Sequence, residues 1–210
     1  MKADSSPSAA GRRSLTAEEK YLLLLQISER ISGTLDLDEI LHHVLDSVRA
    51  TVAYDAAGIF VLTREAPSAS PDPRRQMIAG MVSRGFPAHP AGDDAMLRQG
   101  KGIIGHVIHT GECVVAPDVR QDAHYVVGRE GTLSEIAVPI VTQGRTIGAL
   151  NLESDALGAY SDADLDVLRF FARASAISIE KAVERQHIHG QLRIAHDIQA
   201  RLLPRCDFAI

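Results

Sequence analysis

The stretch "SEIAVPIVTQGRTIGALNLES" (residues 134–154) decides the fold. Two runs rich in β-branched and aliphatic residues flank the polar pair Gln143-Gly144, the pattern of two strands joined by a tight turn. Pro139 has no amide hydrogen to give a central ladder, so the first run is expected at an edge or a bulge. A hairpin this apolar needs cover, which the flanking segments must supply.

Upstream, "GKGIIGHVIHTGE" (100–112) reads as a short helix bounded by glycines, and "CVVAP" (113–117) as a short strand that Pro117 ends. "AAGIFVLT" (56–63) and "QMIAGMVSRG" (76–85) read as two further strands, neighbours in an antiparallel sheet. "REAPSASPDPRR" joins them, and its serines and three prolines mark a flexible loop.

The helices announce themselves by their caps. Thr16 and Glu19 form a T-x-x-E capping box, and that helix is predicted to run to Ser32, with Gly33 stopping it. Asp36 and Glu39 open a second, whose Leu37, Ile40, Leu41, Val44, Leu45 and Val48 recur at helical spacing. Ser161 and Asp164 begin a third, with Leu165, Leu168, Phe171, Ala172, Ala176, Ile179 and Val183 on one side. Only Gly190 interrupts it, a tolerable cost of about 1 kcal/mol. The order of helices and strands predicts an α+β fold.

Hydrophobic residues are 45% and charged ones 23% of the 210, the balance of a globular chain, which argues against wholesale disorder. The net charge of −5, with no Lys/Arg cluster, argues against a nucleic-acid surface. The longest apolar run, "YLLLLQI" (21–27), is too short to span a membrane, and residues 1–14 are polar with no signal-peptide core. A disordered N-terminus (1–14) and a cytoplasmic location are the expectation. Cys113 and Cys206 are far apart and expected reduced.

Three stretches in order, "GKGIIGHVIHTGECVVAPDVRQDAHY", the 134–154 hairpin and "AYSDADLDVLRFFARASAISIEKA", resemble the signatures of the GAF family of small-molecule sensory domains. The resemblance covers residues 20–185 and places the domain at 15–185. It implies an antiparallel sheet of about six strands with helices on one face, a long C-terminal signalling helix, and a ligand pocket under the 117–133 loop. "RIAHDIQARLLP" (193–204) resembles the linker before the catalytic domain of SpoIIE-like PPM serine/threonine phosphatases. This implies that residues 186–210 are a coiled-coil linker and the truncated start of a phosphatase domain. The acidic metal-binding motifs of that domain follow such a linker, so no catalytic or metal site is expected here. The output would lie in a parent protein, whose substrate the resemblance suggests is a phosphoserine on an anti-sigma-factor antagonist.

Several chemistries can be weighed against the residues. His106 and His109, at i and i+3, could present two nitrogens to a metal or one to a haem, but no Cys/His/Asp cluster at suitable spacing completes them, unless a spatial partner such as His124 does. Free-methionine sulfoxide reductases are GAF domains with catalytic thiols. In that group a cysteine stands where this chain has Ile104, and the thiol loop corresponds to "RQDAHYVVGREG", which has none. Cys113 is then a small core hydrophobe, and a bilin would also lack its cysteine. Against the cyclic-nucleotide GAF template, Asn151 and Asp164 match, whereas Leu152, Tyr160 and Leu165 replace Lys, Phe and Glu. Asn151 is read as a strand-end turn and Asp164 as a capping residue.

The candidate ligand-binding groups are His106, Asp118, Arg120, His124, Tyr125, Arg129 and Glu135, in the short-helix and lid segments. Asp118 could instead cap the lid, Glu135 could make a structural bond, and the two arginines could meet an anion or solvent. No cofactor is assigned, and the ligand is an unidentified small molecule. Ser161 to Leu203 would span roughly 60 Å as a helix. Ile188, Leu192, Ala195, Ile198 or Gln199, and Leu202 alternate by four and three, a coiled-coil seam. With Tyr21, Leu24, Leu25, Ile27 and Ile31 of the first helix beside it, a homodimer is expected.

Overall fold

The computed structural model describes residues 16–64, 76–86 and 100–202, with the backbone alone for 17, 20, 32, 63–64, 76–78 and 193–202. The expected disorder of 1–14, most of the 64–75 loop and the start of a phosphatase domain lie outside the described residues, as does Cys206. Helices α1 (Ala17–Ser32) and α2 (Leu37–Arg49) lead into strands β1 (Ala56–Arg64) and β2 (Gln76–Arg84). Helix α3 (Gly102–Thr110), β3 (Val114–Ala116), a 3₁₀ turn (Val119–Gln121), β4 (Ser134–Thr142), β5 (Arg145–Ser154) and the long α4 (Asp162–Leu202) follow. The described strands form one sheet in the order β2-β1-β5-β4-β3, every pairing antiparallel. That is five strands where about six were expected.

Local chemistry sets the boundaries. The Thr16 amide donates to a Glu19 carboxylate oxygen at 2.8 Å and the Glu19 amide to Thr16 Oγ1 at 3.2 Å, a complete capping box. Gly33 follows the last residue of α1 but stays right-handed, φ −78°, so that end does not use the left-handed freedom of glycine. Asp36 accepts from the Glu39 amide at 3.1 Å, while its own amide turns to Thr34 Oγ1, so only half of the second box forms. Asp36→Ala is expected to cost about 1 kcal/mol, read as a lower urea midpoint with unchanged slope.

Gln143 (φ 50°) and Gly144 (φ 75°) are both left-handed, as the tightest hairpin turns require. Strand β3 pairs only with Glu135–Ala137, so β4 is already an edge where Pro139 falls, and the β4–β5 register slips just beyond, between Ile140 and Val141. Both parts of the proline expectation are therefore observed.

Alternation along the strands sorts the side chains to two faces. Ala57, Ile59 and Val61 of β1, Ile136, Val138 and Ile140 of β4, and Leu150 and Leu152 of β5 join the core under α1, α2 and α4. All six apolar residues expected of α2 are buried there. On α4, Leu168, Phe171, Ala172, Ala176 and Ile179 are buried, with Leu165 and Val183 at the margin. On the other face Phe60, Ala137 and Ala149 meet Ile103, Ile104 and Val107 of α3, together with Ala116 and Val119.

Helix α4 runs unbroken through Gly190, 41 residues or roughly 60 Å. From Glu184 it leaves the core, with Ile188 48% and Leu192 64% exposed. The side chains of Ala195, Ile198 and Leu202 lie outside the described residues. On α1, Ile27 and Ile31 are committed to this chain's own core, whereas Tyr21, Leu22, Leu24 and Leu25 remain exposed.

Candidate functional site

The hairpin register builds the site. Glu135 of β4 lies opposite Glu153 of β5, and Ala137 opposite Asn151, so Glu135, Asn151 and Glu153 emerge on the α3 side of the sheet. All three are at least nine-tenths buried, at 3%, 2% and 5% exposure. Asn151 Nδ2 donates to one Glu135 oxygen at 3.0 Å and reaches a Glu153 oxygen at 3.5 Å, while the Thr132 hydroxyl donates to the other Glu153 oxygen at 2.5 Å. Arg129 Nε is 3.7 Å from Glu153, and the same guanidinium holds Asp155. Asn151 Oδ1 is buried with no partner. It points over Gly58 of β1, where a Cβ would stand 2.8 Å from it and 2.8 Å from the Phe60 ring. A side chain at 58 would overlap both, so this close packing needs glycine.

The electrostatics are lopsided. The Glu135 carboxyl is pushed up to about 8, first by burial, then by the Glu153 charge and to a lesser extent Asp122, against the Asn151 hydrogen bond. Glu153 is also raised by burial, with Thr132 and Arg129 opposing. The Tyr125 phenol is raised by burial and by the charges of Glu153 and Glu135.

Over this cluster lies the 117–133 lid. Asp118 caps its 3₁₀ turn through the Arg120 amide and pairs with the Arg120 guanidinium at 2.8 Å. Hydrogen bonds from Arg120 and Gln121 hold that carboxyl well below the usual range. The His124 ring stacks on His106 of α3, centroids 3.9 Å apart and tilted by 30°, so one lid residue rests on the helix. A recess of about 170 Å³, lined by Val115–Asp118, Gln121 and Asp122, adjoins the lid without reaching Glu135, Asn151 or Glu153.

Of the candidate residues, Glu135, Tyr125 and Arg129 converge on the buried cluster, and His106 meets His124 at the lid contact. Asp118 and Arg120 satisfy each other on the lid instead, and Arg129 faces the carboxylates of Glu153 and Asp155. His109 is exposed, and among the described residues no group of three or more His, Cys, Asp or Glu could hold a metal. Asn151 is corrected: it sits within β5 in the buried cluster, not at a strand-end turn. Glu153, Thr132 and Gly58 were missed, although the N-x-E alternation of "NLE" (151–153) could have placed two of these polar groups beside Glu135. Tyr160 lies in the core on the opposite side, and Asp164 bonds Ser161, so neither reaches the cluster. Cys113 packs at the helix-side core and accepts from Arg169 Nε at 3.1 Å. No helix among the described residues is long and apolar enough to cross a membrane.

Comparison with known proteins accords with this architecture. The chain is similar to GAF domain-containing protein A of Dictyostelium discoideum, 29% identical over 68 residues, which are 32% of this chain and 43% of that protein. The match thus spans less than half of the relative. Among solved structures it resembles the free methionine-R-sulfoxide reductase of Neisseria meningitidis in complex with its substrate, with TM-score 0.61, 21% identity, and 83% of this chain and 96% of that one covered. It also resembles the GAF domain of an Acinetobacter phosphoenolpyruvate-protein phosphotransferase, with TM-score 0.58, 18% identity, and coverage of 80% and 96%. At such identities these likenesses establish the fold alone. The model of the GAF domain matches residues 34–180, and the chain therefore belongs to the GAF domain family.

Proposed function

We propose that this chain is a regulatory sensor module: a small molecule bound between the sheet and the lid sets the disposition of α4, which passes the signal to an attached SpoIIE-like serine/threonine phosphatase. The observation that carries the reading is the double duty of β4. Its Glu135 faces the buried polar cluster, while its neighbours Ile136, Val138 and Ile140 seat α4. A ligand that shifts β4 therefore acts directly on the helix that leaves the domain, but only as far as its affinity differs between the two arrangements. The "RIAHDIQARLLP" linker (193–204) supports the phosphatase connection.

The module acts as a cytoplasmic homodimer. Exposed Tyr21, Leu22, Leu24 and Leu25 of α1 and Ile188 and Leu192 of α4 supply the apolar surface for it. Leu192→Asp is expected to weaken self-association at least about tenfold, read by light scattering across a dilution series; unchanged association would remove the helix from the interface. With the phosphatase domain joined after Pro204, Leu202→Asp should uncouple its activity from the sensor. Activity indifferent to that change would overturn the linker role.

The chain itself is not a reductase on this reading. Ile104 stands where that chemistry needs a thiol, and Cys113 packs on the helix side, across the sheet from Glu135. Free methionine sulfoxide should not be reduced by the purified chain, and turnover above the rate of buffer would sink this reading.

A further inference from the structure

The β4–β5 hairpin changes face at its tip. Ile140 is paired with Gly148, whereas Val141 is paired with Thr146 and Thr142 with Arg145, so Ile147 is one residue extra in β5, a β-bulge. Unbroken alternation would put Arg145 on the α3 side of the sheet, with Ala149, Asn151 and Glu153. The bulge reverses it. Ile147 joins Leu150 and Leu152 in the core under the helices, and Thr146 turns to the α3 side, where its Oγ1 lies 3.3 Å from the place of a Cβ on Gly111, the residue that ends α3. Arg145 therefore comes out toward α4.

There it meets Glu180. One Glu180 oxygen accepts from the Thr142 hydroxyl at 2.8 Å, and the Arg145 guanidinium stands 3.5 Å from the other. Thr142 is buried, so its bond is both sheltered and charge-assisted. The Arg145 pair is more open to solvent and adds less by itself. Among the described side chains of α4, Ile179 and Ala182 are the last buried ones. Glu180 thus lies in the final turn that touches the sheet, held from both strand ends of the Gln143-Gly144 turn.

We propose that Thr142, Arg145 and Glu180 form a clasp that fixes the rotation with which α4 leaves the domain, so that the outgoing helix follows any displacement of the hairpin tip. This rests on the sensor reading above for its purpose and names the means of regulation. The seat of Ile136, Val138 and Ile140 resists separation of helix and sheet, but apolar packing is non-directional. The carboxylate and its two donors are directional, and they sit where the helix ceases to be part of the core.

Hydrogen–deuterium exchange on the intact chain tests the clasp without ligand or output domain. Glu180→Ala should speed exchange by about tenfold at the amides of 180–184 and of the hairpin tip, 142–146, with β1 and α2 unchanged. Alanine is the better helix former, so propensity alone would slow the helix amides. Thr142→Val, which keeps the shape and removes the hydroxyl, should reproduce the effect at both places, and the double variant should add little to Glu180→Ala, as partners in one contact do. Glu184→Ala, one turn further out, should leave the hairpin tip unchanged. Unaltered exchange at either place in both single variants, the same acceleration in Glu184→Ala, or additive effects in the double variant would each overturn the clasp. An output indifferent to Leu202→Asp would instead remove the phosphatase connection and leave the clasp standing.

Discussion

Phe171→Ala is expected to lower the unfolding free energy by about 3–5 kcal/mol and Tm by roughly 10 °C. Phe171 is fully buried on the stretch of α4 that covers the sheet, in one core with Leu168, Ile136, Val138 and Ile179. Its ring also meets Phe170 edge-on, with centroids 6.0 Å apart and an interplanar angle of 76°. Alanine removes the ring and leaves a cavity that the sheet cannot collapse to fill, because β5 is tied on both sides by ladder hydrogen bonds and holds β4 along its length. Urea denaturation reads the loss; a change under 1 kcal/mol would show that α4 is not the principal cover of the sheet. The same substitution is expected to loosen the seat through which β4 addresses the helix.

Glu135→Gln works in the opposite direction. An ordinary carboxyl ionises near 4.5 in the unfolded chain, whereas in the fold Glu135 keeps its proton up to about 8. The folded state therefore binds the extra proton between those values, and stability falls as pH rises through that window before levelling off above it. Gln carries no such penalty. It still offers Asn151 an acceptor, and its amide hydrogens can satisfy Glu153. The variant should match the wild type near pH 4 and exceed it by about 3 kcal/mol at pH 7, or roughly 6–12 °C in Tm. A gap that did not grow between pH 5 and pH 8 would mean that Glu135 is not a buried acid.

What could be read from the residues divides along physical lines. Caps and periodicity are local, so α1, α2, the hairpin turn at Gln143-Gly144 and the start of α4 at Ser161 were legible to within a residue or two. Cys113 was expected in its strand but precedes β3. The site was half legible. Glu135 and Tyr125 drew attention as polar residues in the lid segments, but Asn151 was read as a strand-end turn and Glu153 was passed over because their significance depends on register: only the pairing of Glu135 with Glu153 makes two ordinary glutamates into one buried problem. Asp118 and Arg120 misled for the converse reason. Two residues apart in a turn, they neutralise each other, and no count of charges along the chain reveals that. The His106–His124 stack likewise joins residues from α3 and the lid that sequence spacing alone leaves unrelated.

Native mass spectrometry of the chain purified from its own host tests the central claim most directly. A folded species heavier than the polypeptide is expected, releasing a small molecule on denaturation and giving the bare mass when Glu135 is replaced by Gln. The bare polypeptide mass for both proteins would contradict a ligand-binding sensor and leave the fold as a scaffold for its helices.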